Sequence, residues 1–162
     1  AEKRTATHYA NSTSMGGNVL AKVVMTKDGV TMNQQPLPAQ MASEMTNTIG
    51  TFLEMGLLND ENAVLTGIEL IDGKDAYVIS TKGEIVSSAV YFDVTTGLKV
   101  KEVQTVSMNG QTQNQEASYS NYQEFNEVKF PGTKIGSLGP QKVEFKLIDA
   151  KINEGVSASD FQ

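Results

Sequence analysis

Residues Val64 to Met108, VLTGIELIDGKDAYVISTKGEIVSSAVYFDVTTGLKVKEVQTVSM, decide the fold of this chain. Asp72-Gly73, Lys82-Gly83 and Thr96-Gly97 punctuate the run at intervals of about ten residues, the spacing of an antiparallel meander of four strands. Alternation sets Val64, Ile68 and Leu70 against Leu65, Glu69 and Ile71. It sets Val86, Val90, Phe92 and Val94 against Ile85, Ser87, Ala89, Tyr91 and Asp93, with Tyr77 and Ile79 together on one side of the intervening strand. Lys99 and Lys101 are expected to point to water. One face of such a sheet is apolar and the other wet, which is the pattern of an antiparallel sheet covered on a single side.

Working outward, Val19 to Lys27 is rich in β-branched residues and is followed by the hairpin signal Asp28-Gly29 and a return over Val30 to Gln34. Residues Ala1 to Thr13 are polar and without period, and Met15-Gly16-Gly17 reads as a loop. The expectation is a single domain over 1–162, with 1–17 an irregular leader and 18–162 the folded body. Beyond the meander, Asn109-Gly110 is another hairpin signal. Thr112 to Phe125 is a polar strand, expected at a sheet edge or with a strongly solvated face. Val128 to Phe130 is a short strand closed by Pro131-Gly132. After Gly139-Pro140, the strand Lys142 to Leu147 alternates Val143, Phe145 and Leu147 inward with Lys142, Glu144 and Lys146 outward, and Ile148 to Ile152 extends it. Gly155 to Gln162 is a tail, with Phe161 docking back.

Between Leu37 and Leu53 the period changes. Leu37, Met41, Met45, Ile49 and Phe52 recur at four and three, a stripe that predicts one helix of about four turns, begun near Pro38 and stopped at Gly56. The fold class is therefore α+β, an antiparallel sheet with one covering helix. Met41, Met45, Ile49 and Phe52 are the candidate ligand-binding residues. Flexible, polarizable methionines serve either as gap-filling core or as an adaptable surface for an acyl chain.

Composition narrows the function. Of the 162 residues, 39% are hydrophobic and 20% charged, as in a soluble globular chain, and a net charge of −6 with a pI near 4.8 opposes phosphate backbones and anionic headgroups. There is no cysteine, which excludes disulfides and thiolate metal sites. No apolar run reaches the roughly 18 residues of a membrane span. The chain opens on polar residues without a signal-peptide pattern, so either a signal was removed or this is part of something longer. His8 is the sole histidine and has no second imidazole with which to share a metal. Asp72, Asp75 and Asp93 lie at strand ends, where short carboxylates bond the local backbone. No P-loop, EF-hand or helical zinc pair is present, and no cofactor or metal is expected.

Ile71-Asp72-Gly73-Lys74-Asp75-Ala76-Tyr77 followed by Tyr91-Phe92-Asp93-Val94-Thr95-Thr96-Gly97-Leu98, continuing through Tyr119 to the Lys129-Phe130-Pro131 step, resembles the C-terminal domain of Bacteroidetes-type zinc peptidases of the insulinase class. That domain is similar in turn to the LolA and LolB lipoprotein carriers. The resemblance implies a curved antiparallel sheet, an incomplete barrel, with the helix on its concave face, and a periplasmic or outer-envelope location. The peptidase's HxxEH zinc motif has no counterpart here, so no catalytic residue carries over. The expected function is a non-catalytic cell-envelope domain that serves a zinc peptidase by binding a partner, a substrate or an apolar ligand. A free-standing lipoprotein or lipid carrier is the alternative, and a hydrolase using paired carboxylates the third reading.

Overall fold

The computed structural model describes the whole chain except Gly16, Asn47, Thr48, Thr51, Asn109, Gly139 and Pro140, and except the side chains of Met15, Leu53 and Leu138. The expected loop at Gly16, the turns at Asn109 and Gly139-Pro140, and the middle of the expected helix thus fall partly outside the described residues. Two compact units are distinguishable: Ala1–Glu61 with Gly155–Gln162, and Asn62–Glu154.

In the first unit, β1 (Glu2–Arg4), β2 (Tyr9–Met15), β3 (Asn18–Thr26), β4 (Gly29–Met32) and β5 (Gln35–Pro36) form an antiparallel sheet in chain order. The expected irregular leader is therefore wrong: residues 2–4 and 9–15 are strands. Polar Ser and Thr side chains hide β2 from a search for apolar alternation, but its backbone pairs with β3 all the same. Proline at the end of β5 suits an edge, where no ladder donor is missed. Near the C-terminus a 3-10 turn, Ala158–Phe161, docks on β2 and β3. Phe161 lies 5.1 Å from the His8 ring, Lys3 Nζ binds Asp160 at 2.7 Å, and Lys22 Nζ donates to the Gln162 carbonyl at 2.6 Å. The expected return of Phe161 is what the tail does.

The expected four-turn helix is two shorter ones, α1 (Ala39–Thr46) and α2 (Leu53–Leu57). α1 begins after Pro38, whose carbonyl accepts from Ala42 N at 2.9 Å, and lies against β4 and β3. Phe52, just before α2, is extended at φ −123° and ψ 131°, which interrupts the helical path. Gly56 sits inside α2 and is not the stop.

In the second unit, β6 (Val64–Ile71), β7 (Lys74–Lys82), β8 (Val86–Asp93), β9 (Lys99–Met108), β10 (Gln111–Ser120), β13 (Thr133–Leu138) and β14 (Gln141–Lys146) form an open antiparallel sheet in the order β14-β13-β10-β9-β8-β7-β6. β11 (Gln123–Phe125) and β12 (Val128–Phe130) make a separate hairpin. The meander is as expected. The polar strand differs: it ends at Ser120, where Asn121 turns to φ 52°, and β10 lies inside the sheet between β9 and β13 rather than at an edge. Its weak hydrophobicity reflects solvated faces, since most of its side chains are exposed. β13, with glycine at its centre and little alternation, carried no signal. β14 is the edge, so Phe145 is 40% exposed instead of inward, and Ile148 is 94% exposed beyond the strand's end.

The core of this unit is small: Ala76, Val78 and Tyr91, with Ile71, Ala89, Val100 and Val103 packed against it. Turn chemistry carries much of the specification. Asn126 and Glu127 both have positive φ (48° and 67°), the geometry of a tight primed hairpin turn between β11 and β12. Gly132 is required by close approach. A Cβ there would run into the Asn121 carbonyl oxygen, which already accepts from Gly132 N at 3.0 Å.

Two outcomes follow. Glu127→Gly, which completes an Asn-Gly turn, raises stability by about 1 kcal/mol in a thermal melt, because a glycine meets no Cβ penalty at positive φ. Gly132→Ala lowers it by about 1–3 kcal/mol, the usual cost of forcing an extra methyl into filled space.

Candidate functional site

Two bulges set which side chains share a face of the larger sheet. Between Leu65 and Gly67 the register shifts, Thr66 being the extra residue. Its hydroxyl donates to the Val78 carbonyl at 3.2 Å and lies 3.3 Å from Ser80 Oγ. The shift corrects simple alternation: Leu65 pairs with Ile79 and Ile68 with Tyr77, so Leu65, Ile68 and Leu70 stand on the face of Tyr77 and Ile79. Val64 goes to the other side with Glu69 and Ile71. A second shift between Tyr91 and Phe92 makes Val100 the extra residue. Lys99 then joins Phe92, and Lys101 joins Tyr91 on the opposite face, where same-side alternation had placed both.

The face bearing Phe92 is apolar from β6 to β8, and exposure rises toward the β6 edge. Val90 is buried, and Ile79 and Phe92 are half-buried. Tyr77 is 40% exposed, and Ile68, Leu65 and Leu70 are 57%, 61% and 71% exposed. Large side chains left open side by side are the usual mark of an interaction surface.

Across β9 and β10 the same face turns polar. Lys99 Nζ lies 3.3 Å from Glu102 Oε2 and 4.2 Å from the centre of the Tyr119 ring. The Tyr119 hydroxyl donates to Glu102 at 2.9 Å, and Lys134 Nζ lies 5.6 Å from the centre of the same ring. The lysines expected in water are thus largely covered, with side chains 10% and 25% exposed for Lys99 and Lys101. Lys101 pairs with Glu116 at 3.2 Å and lies 5.6 Å from the Tyr91 ring.

The residues singled out from sequence, Met41, Met45, Ile49 and Phe52, belong to the first unit and are all half-buried. Met41 and Met45 share α1 with buried Ala42; Ile49 follows that helix, and Phe52 precedes α2. The exposed row on β6 and β7 was missed, although its apolar residues were in view, because only the Thr66 bulge brings them to one side.

The polar groups do structural work. Asp93, buried beside Ala76, accepts from Thr95 N at 3.0 Å, Thr96 N at 2.7 Å and Thr96 Oγ1 at 2.9 Å, as its place at a turn predicts. Those bonds from Thr96, with that from Thr95, hold its carboxyl below the usual range. Asp160 is lowered to about 2 by Lys3 and the Ser157 backbone N–H. Burial, with Glu2 nearby, pushes the Tyr9 phenol up, and Arg4 lies 4.9 Å over its ring. His8 is in contact with Thr7 Oγ1 at 2.8 Å. Among the described residues no three of His, Cys, Asp and Glu gather as a metal site would need. An open depression of about 340 Å³ on β7 to β9 is lined by Ser80, Thr81, Ser87, Ser88 and Thr105 together with Lys82, Ala89 and Val103. No helix among the described residues is long and apolar enough to cross a membrane.

No known family matches the chain, and neither does any curated protein. Among solved structures the chain is similar to the crystal structure of LolA superfamily protein NE2245 from Nitrosomonas europaea, with a TM-score of 0.55 and 16% identity over 91% of this chain and 75% of that one. The likeness establishes the fold, an α+β architecture of open antiparallel sheet and few helices of the LolA kind.

Asp93 gives a pH test. Its lowered carboxyl stabilises the folded state above the unfolded value near 4, and that contribution disappears as pH falls through the folded value. Asp93→Asn therefore melts below wild type at neutral pH, and the gap narrows in melts taken from about pH 5 down to about pH 2.

Proposed function

We propose that this chain is a non-catalytic domain that holds an apolar ligand, such as a lipid or the acyl chain of a lipoprotein, on the face formed by β6 to β8. The observation that carries the reading is the row Leu65, Ile68, Leu70 and Tyr77, open on one side of a sheet whose fold is LolA-like. A preformed, concave or open apolar surface with few polar groups is how proteins take up such ligands. Met41, Met45, Ile49 and Phe52 add a second, half-buried apolar stripe in the other unit. The titratable groups support the non-catalytic reading, because Asp93 and Asp160 are engaged in turns and a terminal clasp.

The sequence resemblance supplies the finer part of the proposal: a periplasmic or outer-envelope domain that serves a zinc peptidase, with a free-standing carrier as the second reading. A carrier moves a fluorescent lipid between vesicles, and an appended domain binds without transfer.

The test is calorimetric titration of delipidated protein with 1-monooleoylglycerol below its aggregation threshold. Saturable binding is expected. Ile68→Glu and Leu70→Glu each weaken it about tenfold or more, the equivalent of roughly 1.5–3 kcal/mol per buried aliphatic side chain. Their melting temperatures stay near wild type, since both side chains are already exposed. Wild-type protein that takes up none of the monoacylglycerol overturns the reading.

A further inference from the structure

The C-terminal segment is fastened to the first sheet by a few polar contacts and one ring. Lys3 pairs with Ala10 and Ala10 with Val24, and Lys22 lies two residues from Val24, so both lysines stand on the sheet face of buried Ala10 and Val24. Both reach the tail: Lys3 Nζ binds Asp160 Oδ1 at 2.7 Å, and Lys22 Nζ donates to the Gln162 carbonyl at 2.6 Å. Phe161 meets the His8 ring at 5.1 Å. Asp160 serves twice. Its other oxygen, Oδ2, accepts from Ser157 N at 2.7 Å and from Ser157 Oγ at 3.0 Å, which closes the 3-10 turn that carries Phe161. Upstream, residues 147–156 contain neither helix nor strand and are mostly exposed, a strap between β14 and the docked turn.

We infer that residues 157–162 form a salt-responsive clasp that opens locally while the sheets stay folded, freeing the face of Lys3 and Lys22 and the strap behind it. The free energy of opening a segment follows what that segment buries and how well its bonds are shielded. Here Asp160 and Phe161 are half-buried, whereas Ser157, Ala158, Ser159 and Gln162 are exposed. The Lys3 and Asp160 side chains are 38% and 22% exposed, and an ion pair this open contributes little and is screened by salt. The sheet beneath is held by ladders from β1 to β5 in which the clasp takes no part. Asp160, lowered to about 2 by Lys3 and the Ser157 N–H, stays charged throughout the neutral range, so ionic strength is the lever. The chain passes between the two units at Glu61–Asn62 and returns at Glu154–Gly155. With the clasp open, the return is no longer anchored.

Lys151, exposed in the strap, offers trypsin a site whose cleavage reads the open state, and mass spectrometry of the digested full chain separates it from other cuts. Wild-type cleavage there is about threefold faster in about 1 M than in about 0.05 M sodium chloride, the effect of screening one part-exposed pair. Asp160→Lys sets like charge against Lys3 and removes the acceptor from Ser157; it speeds the cut about tenfold and leaves no salt-induced acceleration. Lys3→Glu combined with Asp160→Lys restores the pair in reverse and slows the cut again. The single histidine gives a second reading: in Asp160→Lys the His8 ring proton signals move to where Phe161→Ala puts them. The main melting transition of Asp160→Lys stays within a few degrees of wild type, because the ladders are untouched. A main transition far below wild type makes the segment part of the cooperative fold and overturns the inference. So does cleavage at Lys151 that is indifferent to salt and to Asp160→Lys. Neither result bears on the apolar-ligand reading, which concerns β6 to β8.

Discussion

Thr66 is one residue more than β7 has places for, and much of the larger sheet follows from how that excess is absorbed. Its hydroxyl reaches the Val78 carbonyl and Ser80, so the bulge is held by polar bonds on the face that carries the buried core. The strand beyond it is rotated by one position, and Leu65, Ile68 and Leu70 come to lie together. A bulge also bends the strand and increases its twist, as the edge of an unclosed sheet requires. Val100 acts in the same way on β9. It packs on the core while Lys99 is sent to the opposite side from Lys101.

These two rephasings leave the sheet with a division of labour between its faces. Ala76, Val78 and Tyr91 make a compact core on one side, built from small residues and a single ring. Pairing across the ladders and the Asp93 turn supplement that modest burial. On the other side, apolar side chains are lined up without being consumed by the fold.

The charged groups divide in the same manner. Lys101 and Glu116 pair on the core side beside Tyr91, whereas Lys99, Glu102 and Lys134 surround Tyr119 on the open side. Lys99, whose side chain is largely covered, sits over the ring face, which compensates part of the lost hydration, whereas Lys134 lies farther from the ring and is exposed. Exposed ion pairs elsewhere, such as Lys146 with Glu144 at 3.7 Å, contribute little by comparison.

Local chemistry was readable in the residues themselves. Glycine and aspartate at the turns announce the hairpins, Pro38 announces a helix start, Phe161 announces a docked tail, and the missing cysteines remove thiolate chemistry. The residues expected to bind ligand, Met41, Met45, Ile49 and Phe52, come from a helical stripe, because periodicity is the signal a sequence offers; the exposed β6 row carries no such signal. Strand neighbours, edges and side-chain phase belonged to the tertiary structure alone. β10 lies inside the sheet despite its polarity, Phe145 lies outside despite its alternation, and Leu65 changes face, because cross-strand hydrogen bonds between residues far apart in the chain decide who pairs with whom. An extra residue absorbed as a bulge leaves no mark on local propensity, so only the partner strand reveals where it falls.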